Sequence, residues 1–534
     1  MSERMRFLPA GRDAILVELP DLDRTLMLFD ALRSSPLPGV REIIPAARTL
    51  LVRYDASHTN RETLADAISS TSMPEGGLRQ GALFDIPMTY DGEDLPVIAE
   101  IMGLPIVEVI RRHTEAIFTV AFTGFAPGFA YMSCNDPAFD IPRRQSPRTR
   151  IPAGSVALAG QFGGIYPSDS PGGWQLLGRT PLIMWDLSRP RAALLAPGDR
   201  VRFHDIAKSA TPVVPPHALK DEPPMARTAG EGLLVTRADR PALFQDLGRV
   251  ELANQGVSVS GALDRASFVE ANICVGNPAG APAIEIAYGG FALKADRAVT
   301  LAVTGAPCRL TINAADDRRL TAPFARPFAL DAGDTLNLDV PTEGTRSYLA
   351  LRGGFVVENI LGSASTDTLA KIGSAHITSG DVLIPALAAS VAVDPFRPVS
   401  VQLPKSGDTV TLDIRLGPRT DWFTSEAIST LMSQDWLVTP ETSRVGARLF
   451  GAVPLERCDT TELASEGVVL GAIQVPHSGQ PVLFLADHPL TGGYPVIAVV
   501  ERHHLDLAGQ IPMGAKIRFN VVAHFDPLTR NVPQ

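Results

Sequence analysis

The stretch YPSDSPGGWQLLGRTP at 166–181 returns in outline as ADHPLTGGYPVIAVV at 486–500. Each sets a Gly-Gly pair directly before a large aromatic residue, Trp174 in one and Tyr494 in the other. Each follows a glycine-rich apolar run ending in glutamine, GSVALAGQ from Gly154 and EGVVLGAIQ from Glu466. Each also precedes a closing strand pattern, PGDRVRF from Pro197 and MGAKIRF from Met513. Glycine weakens a strand unless the chain must bend or another backbone must come close. Two copies of so awkward a corner, in the same order, therefore point to one fold built twice, ahead of a duplicated active site.

The surrounding pattern says which kind of fold. Short alternating runs such as GLLVTRA, AVTLAVTG, DTLNLDV and VTLDIRLG are separated by Gly, Pro and Asp turns, the signature of closed or nearly closed β-barrels. Gly-Asp precedes a strand at Gly198-Asp199, Gly333-Asp334 and Gly380-Asp381, with Gly514-Ala515 as a variant. Such a turn needs positive φ and a side chain that can bond the backbone. Only the first residues break the pattern: strand RDAILVEL, a helix from Leu22 capped by Asp21, strand LLVRYD and a helix after Thr59. The expected fold is mainly β with an α+β N-terminal unit. A chain of 534 residues holds three or four cores. The expected units are a small α+β domain at 1–75, a barrel at 76–210 with a helical insert, and barrels at 233–395 and 396–534. Between the first and second barrels, residues 211–232 hold five prolines and no periodicity, which reads as a semi-rigid linker.

Charge and cysteine content remove several function classes. With 48 basic against 58 acidic residues and no basic run, the chain is unsuited to nucleic acid. The longest apolar stretch, near residue 382, is too short for a membrane helix. The N-terminus lacks the apolar core of a secretory signal. Cys134, Cys274, Cys308 and Cys458 are isolated, as expected of reduced thiols in a cytoplasmic protein. There is no P-loop, no G-x-G-x-x-G and no G-x-S-x-G elbow. His503 and His504, read as strand residues, would point to opposite faces and could not share a metal.

The candidate chemistry lies in polar clusters between the strands. GFAPGFAYM at 124–132 bends a backbone among aromatics. PRRQSPRTRIPAGS holds Arg143, Arg144, Arg148 and Arg150 on a proline-stiffened loop; guanidinium groups so placed suit a carboxylate or phosphate, or simply solvent. In the second half, Gln245, Asp246, Arg249, Asp264, Arg265 and Asn272 are close in sequence, and Asp264 could equally cap the following helix. Glu285 alternates in a strand, facing a cavity or solvent. The corners could offer stacking faces at Trp174 and Tyr494, with Gln161, Tyr166 and Gln474 as polar neighbours, or the glycines could serve only to turn the chain.

GFAPGFAYM, PRRQSPRTRIPAGSVALAG and YPSDSPGGWQLLGRTP together resemble the family called allophanate hydrolase subunit 1, or KipI, linked to the B component of 5-oxoprolinase. LFQDLGR, GVSVSGALDRASFVEANICVGN, IEIAYGG, LAVTGAP, ASEGVVLGAIQVPHSGQP and TGGYPVIAVV resemble the partner family, subunit 2, KipA or the C component of 5-oxoprolinase. The resemblance covers about residues 1–205 and 232–525, so the chain looks like a fusion of both components. Both families are similar to the carboxyltransferase region of urea carboxylase, and the resemblance implies that the repeated barrels are cyclophilin-like. One departure is Ser443 in ETSRVGARL, where the second family usually has an aspartate.

The resemblance implies ATP-dependent opening of 5-oxo-L-proline to L-glutamate, with magnesium beside the ATP and a separate A component of the LamB/YcsF type. There is no biotinylation site, so any biotin would arrive on another chain. The same resemblance leaves open a biotin-dependent carboxyltransferase acting on a urea-like amide, or a regulator that binds a histidine kinase, and it allows a homo-oligomer. In the oxoprolinase, Asp246, Asp264 and Glu285 would be candidates for acid–base or metal work. Arg143, Arg144, Arg148 and Arg249 would meet anionic groups, with Gln161, Tyr166, Trp174, Asn272, Gln474 and Tyr494 as further binding contacts.

Overall fold

The computed structural model describes residues 4–73, 81–144, 146, 148–208, 232–395 and 402–532; all of the expected linker but Gly232 lies outside them. The N-terminal unit is a sheet in the order Val40–Pro45, Thr49–Tyr54, Ala14–Glu18, Arg4–Pro9, covered by helices Leu22–Ser34 and Arg61–Ser69. Asp21 caps the first helix by accepting from Arg24 N, and Asn60 caps the second by accepting from Thr63 N. A fifth strand, Leu528–Asn531, comes from the far end of the chain and pairs antiparallel with Arg4–Pro9. The two ends are thus hydrogen-bonded into one sheet.

Residues 83–205 and 409–523 form the same barrel twice. In the first, strand Leu83–Met88 runs parallel to the closing strand Arg200–Asp205. The order then continues through Ile117–Thr123, Ala130–Ser133, Phe162–Ile165, Ser155–Ala159 and Gln175–Arg179. A bridge from Arg179 to Thr89 closes the ring. In the second, Thr409–Leu416 runs parallel to the closing strand Lys516–Ala523. Its ring passes through Trp436–Val438, Gly446–Phe450, Val482–Phe484, Ala472–Gln474 and Val496–Val500 before closing. Strand for strand the order is identical. Each barrel places its helical insert after the first strand, Leu95–Met102 with Ile106–Glu115 in one and Ser425–Ser433 in the other. Each also carries a two-stranded flap, Arg148–Ile151 with Ser170–Gly172 and Glu466–Gly467 with Thr491–Gly492.

The Gly-Asp turns share one geometry. Gly198, Gly333 and Gly380 sit at φ of +92°, +90° and +97°, and so does Gly407 at +92°. The aspartate that follows each glycine accepts from the backbone N–H three residues earlier: Asp199 from Ala196, Asp334 from Asp331, Asp381 from Thr378, Asp408 from Lys405. Gly514 keeps the positive φ, +83°, without a side-chain acceptor after it.

Between the barrels, residues 233–383 form a six-stranded and a five-stranded sheet around one shared core, not a single closed ring. A register shift between Val235 and Arg237 bends the first strand, after which Asp239–Pro241 carries the chain into the other sheet. Helix Arg265–Cys274 packs on the five-stranded sheet, against Ala283, Ala302, Tyr348 and Ala350. Among the described residues no helix is long and apolar enough to cross a membrane.

Candidate functional site

The two repeated corners face each other. Gly172, Gly173 and Trp174 of the first barrel and Thr491, Gly492 and Gly493 of the second line one cavity of about 160 Å³. Gly172 is a steric necessity, since a Cβ there would lie 2.4 Å from the Tyr166 hydroxyl and 2.9 Å from Ile151 Cδ1, whereas one on Gly492 would displace the end of the Gln474 side chain, 2.6 Å away at Nε2. The first barrel supplies aromatic walls. Phe129 meets Trp174 and Tyr166 edge to face, with centroids 5.4 and 5.3 Å apart. Phe125 closes the mouth with φ at +65°, a conformation that costs a non-glycine residue roughly 1–3 kcal/mol and so marks a constrained site. Its N–H reaches Thr491 Oγ1 at 3.3 Å across the junction. The Tyr131 hydroxyl lies within hydrogen-bond reach of Ser465 and Thr491, and burial raises its pKa.

Arg143 is the single charged group of the lining. Its Nε lies 3.0 Å from Glu462 of the second barrel, and both side chains are partly open to solvent. The arginine loop is tied to the corner by Arg144 N–H donating to Gly173 O at 2.8 Å. Arg144 and Arg148 do not reach the cavity: their guanidinium groups clasp Asp94, which is buried at 2% exposure. Asp94 also accepts from Leu176 N–H at 2.8 Å; burial pushes its pKa up, but the hydrogen bonds from Arg148 and Leu176 N–H and the charges of Arg148 and Arg144 together outweigh that, and the carboxyl stays below its ordinary range. These two arginines hold the loop against Asp94. Arg150 pairs with exposed Asp169.

Several other expected contacts lie elsewhere for identifiable reasons. Gln161 is exposed in the turn between Ser155–Ala159 and Phe162–Ile165, whereas Gln474 is the last residue of its strand and is buried, donating to Tyr494 O. The two glutamines are therefore not equivalent. Tyr494 turns outward, 41% exposed, beneath the Arg457 guanidinium and beside His477, whereas Trp174 turns in. Asn272 is buried and internally satisfied by Ala281 O and Asn277. His503 lies in a 3₁₀ turn, Arg502–His504, not in a strand.

The expected acid–base residues form a separate, buried network where the middle unit meets the second barrel. Arg444 donates to Glu285 and, at 2.9 and 3.0 Å, to Asp487, and reaches Gly261 O. Glu285 also accepts from Leu263 N–H and the Tyr348 hydroxyl. Asp264 caps helix Arg265–Cys274 through Ser267 and accepts from Gln510; burial raises its pKa. Asp246 accepts from Gly248, Ser363, Ala364 and Ser365 and so shapes a loop. Arg249 is 2% exposed and donates to Ser365 O, while its Nε and Nη1 find no partner among the described residues. Burial lowers its pKa. Asp367, facing Asp487, titrates at about 6, raised by burial first and by that neighbour second. None of Asp246, Arg249, Asp264, Asn272 or Glu285 lines the corner cavity, so the arginine loop and the Asp264 helix lie at two distinct places. One segment runs through both: Asp487 in the network is four residues before Thr491 in the corner.

Sequence reasoning missed Arg444, Asp487, Thr491 and Ser465. Arg444 follows Ser443, the departure from the family pattern, and is itself the hub. The segment SRVGARL also holds Arg448, which is exposed, so the sequence there does not mark which arginine is buried.

Residues 5–195 match the carboxyltransferase domain, subdomains C and D, and residues 255–521 match its subdomains A and B. The second half is 33% identical to the C component of 5-oxoprolinase from Escherichia coli over 290 residues, 54% of this chain and 90% of that protein. The first half is 36% identical to the B component of 5-oxoprolinase from Bacillus subtilis over 207 residues, 36% of this chain and 84% of that protein. The crystal structure of TTHA0988 superposes with a TM-score of 0.78 at 35% identity, over 95% of this chain and 99% of that one. With both matches in register with the two halves that build the cavity, the chain belongs to the carboxyltransferase-domain family, its C and D subdomains preceding A and B in one polypeptide.

Proposed function

We propose that this chain is the fused B–C component of an ATP-dependent 5-oxoprolinase, opening 5-oxo-L-proline to L-glutamate together with a separate A component of the LamB/YcsF type. The observation that supports this reading best is the corner cavity itself: it is small, needs both halves to exist, and holds one guanidinium among aromatic walls. Pockets for larger ligands run to roughly 300–1,000 Å³, so about 160 Å³ suits a compact metabolite. A planar lactam fits against Trp174 and Phe129 with its carboxylate toward Arg143, which exchanges exposed Glu462 for the ligand. The lactam oxygen then comes within reach of the hydroxyls of Thr491 and Ser465 or the N–H groups of the glycine pair, donors that can stabilise charge developing there.

ATP would activate a lactam oxygen that is otherwise a poor leaving group. Magnesium-bound nucleotide does not fit this cavity: its lining has no carboxylate and its volume is too small. The nucleotide's base and ribose would therefore stay outside the corner, and only its terminal phosphate would have to reach the lactam oxygen held there. The family's description as a carboxyltransferase favours a second reading, carboxyl transfer to a urea-like amide from a biotinyl carrier on another chain. The test is a coupled assay of purified chain, matching A component, 5-oxoproline and ATP. Glutamate and ADP appearing together support the oxoprolinase, and Arg143→Ala raises KM for 5-oxoproline at least tenfold. ATP consumption without glutamate, no turnover at all, or turnover only with a biotinyl carrier and bicarbonate rejects it.

A further inference from the structure

Asp413, His503 and His504 each offer one ligand atom within 4.8 Å of the others, the one such trio of His, Cys, Asp or Glu among the described residues. Asp413 lies inside strand Thr409–Leu416, and the histidines lie in the turn Arg502–His504. Because that turn is 3₁₀ and not extended, adjacent side chains no longer oppose one another, and the two imidazoles approach to 4.3 Å between centroids. The carboxylate sits between them. Asp413 Oδ2 is 2.9 Å from His503 Nε2 and 3.8 Å from His504 Nδ1. Its other oxygen is held by Asn520 Nδ2 at 2.7 Å, and its carbonyl by Glu501 N–H at 2.9 Å.

We propose that this trio is a binding site for a borderline transition-metal dication of the zinc(II) class. Imidazole and carboxylate are the donors such ions take, at about 2.0–2.2 Å, which sets neighbouring ligands about 3 Å apart. The His503–Asp413 separation already meets that spacing, and the His504–Asp413 separation must close by less than 1 Å. Binding exchanges two hydrogen bonds for coordinate bonds: the one between His503 and the carboxylate, and the one that Asp413 N–H donates to His504 Nδ1 at 2.8 Å. The proton shared by His503 and the carboxylate leaves to solvent. Asn520 is the neighbour that orients the carboxylate, the supporting contact that metal-ligating carboxylates require.

The site's position suggests what the ion does. The turn runs straight into helix Leu505–Ala508, where Asp506 accepts from Arg265 N–H. Just beyond, Gln510 bridges Asp264 with the backbone of Thr345 and Arg346. An ion there staples the turn to the second barrel and so steadies the seam with the middle unit. It lies on the outer wall, apart from the corner cavity, and takes no part in the chemistry proposed there.

The test titrates zinc(II) into the full, chelator-stripped chain against a chromophoric competitor, with cobalt(II) as a spectroscopic substitute. One equivalent should bind and raise Tm. His503→Gln, at an exposed position, should weaken binding at least tenfold while the metal-free Tm is unchanged, and Asn520→Ala should weaken it roughly tenfold. Failure to bind an equivalent, or an equivalent that persists undiminished in His503→Gln/His504→Gln, overturns the site. So does a cobalt(II) spectrum identical to that of the hydrated ion.

Discussion

The two barrels share every strand pairing and the same glycine corner, yet they use the corner for opposite purposes. In the first, Trp174 turns inward and joins Phe129, Tyr131 and Tyr166 in a wall; in the second, Tyr494 turns outward and the corner offers only Thr491 and two glycines. One copy supplies surfaces and a cation, the other small polar groups and open backbone. Duplication therefore produced two complementary halves of a single cavity. Their charge networks differ likewise. Asp94 is clasped by two arginines that still touch solvent, whereas Asp487 and Glu285 share one arginine buried to 6% exposure, with Arg346 lying 3.5 Å from Glu285 alone.

That contrast makes Arg444→Met the most damaging single change. It strands Glu285 and Asp487 in the interior without their shared cation. Breaking a buried pair costs roughly 3–5 kcal/mol, and here two carboxylates lose the partner. Arg148→Met leaves Asp94 with Arg144 and Leu176 N–H, so its cost should stay near 1–3 kcal/mol. Urea unfolding of the two variants measures the difference; equal losses would mean the second hub is no more enclosed than the first. Next in size, Trp174→Ala should cost roughly 3–5 kcal/mol and Tyr494→Ala under about 1. Matching costs would show that the two aromatics are not differently placed after all.

Asp367 sharpens the comparison through pH. Its folded-state value of about 6 stands above the ordinary 3.8, so between those values the folded chain holds the proton more tightly than the unfolded one. Its contribution to stability is thus fully present below about pH 4, falls as pH rises, and is gone above about 6. Asp367→Asn should gain on the wild type across that window by on the order of 2–3 kcal/mol. A pH-independent gap between the two would show that burial and Asp487 together do not raise Asp367.

How much of this was legible follows from how local each signal is. The corner glycines, the Gly-Asp turns and the Asp264 cap are short-range features, and their backbone requirements leave a mark in the sequence. Which way an aromatic faces is not short-range. Trp174 and Tyr494 follow the same Gly-Gly, and only the partner surfaces, Phe129 against one and Arg457 with His477 against the other, decide their direction. The partners of Arg144 and Arg148 are hidden for the same reason. Nothing near Arg144 or Arg148 announces Asp94, fifty and fifty-four positions earlier, so a basic loop on a stiff backbone looked like a ligand clamp. The histidines failed on a local point: after strand Val496–Val500 the extended pattern ends, and one 3₁₀ turn reverses the geometry of adjacent side chains.

A pairwise coupling is the most direct check that the corners truly meet. Gly124 lies so close to the second corner that a Cβ there would fall 2.3 Å from Thr491 Oγ1 and 2.9 Å from its Cγ2. Gly124→Ala should therefore force the two barrels apart locally, and removing the threonine side chain should make room for the new methyl. Contacting residues couple by roughly 0.5–3 kcal/mol in double-mutant cycles. With only one methyl to accommodate and 3.1 Å remaining to the Thr491 Cβ, the coupling between Gly124→Ala and Thr491→Ala should be about 1–2 kcal/mol, the double variant being more stable than the sum of the singles predicts. Strictly additive losses would separate the barrels at this point. With them would go the composite cavity, since Phe125 N–H is held at its mouth by the same threonine.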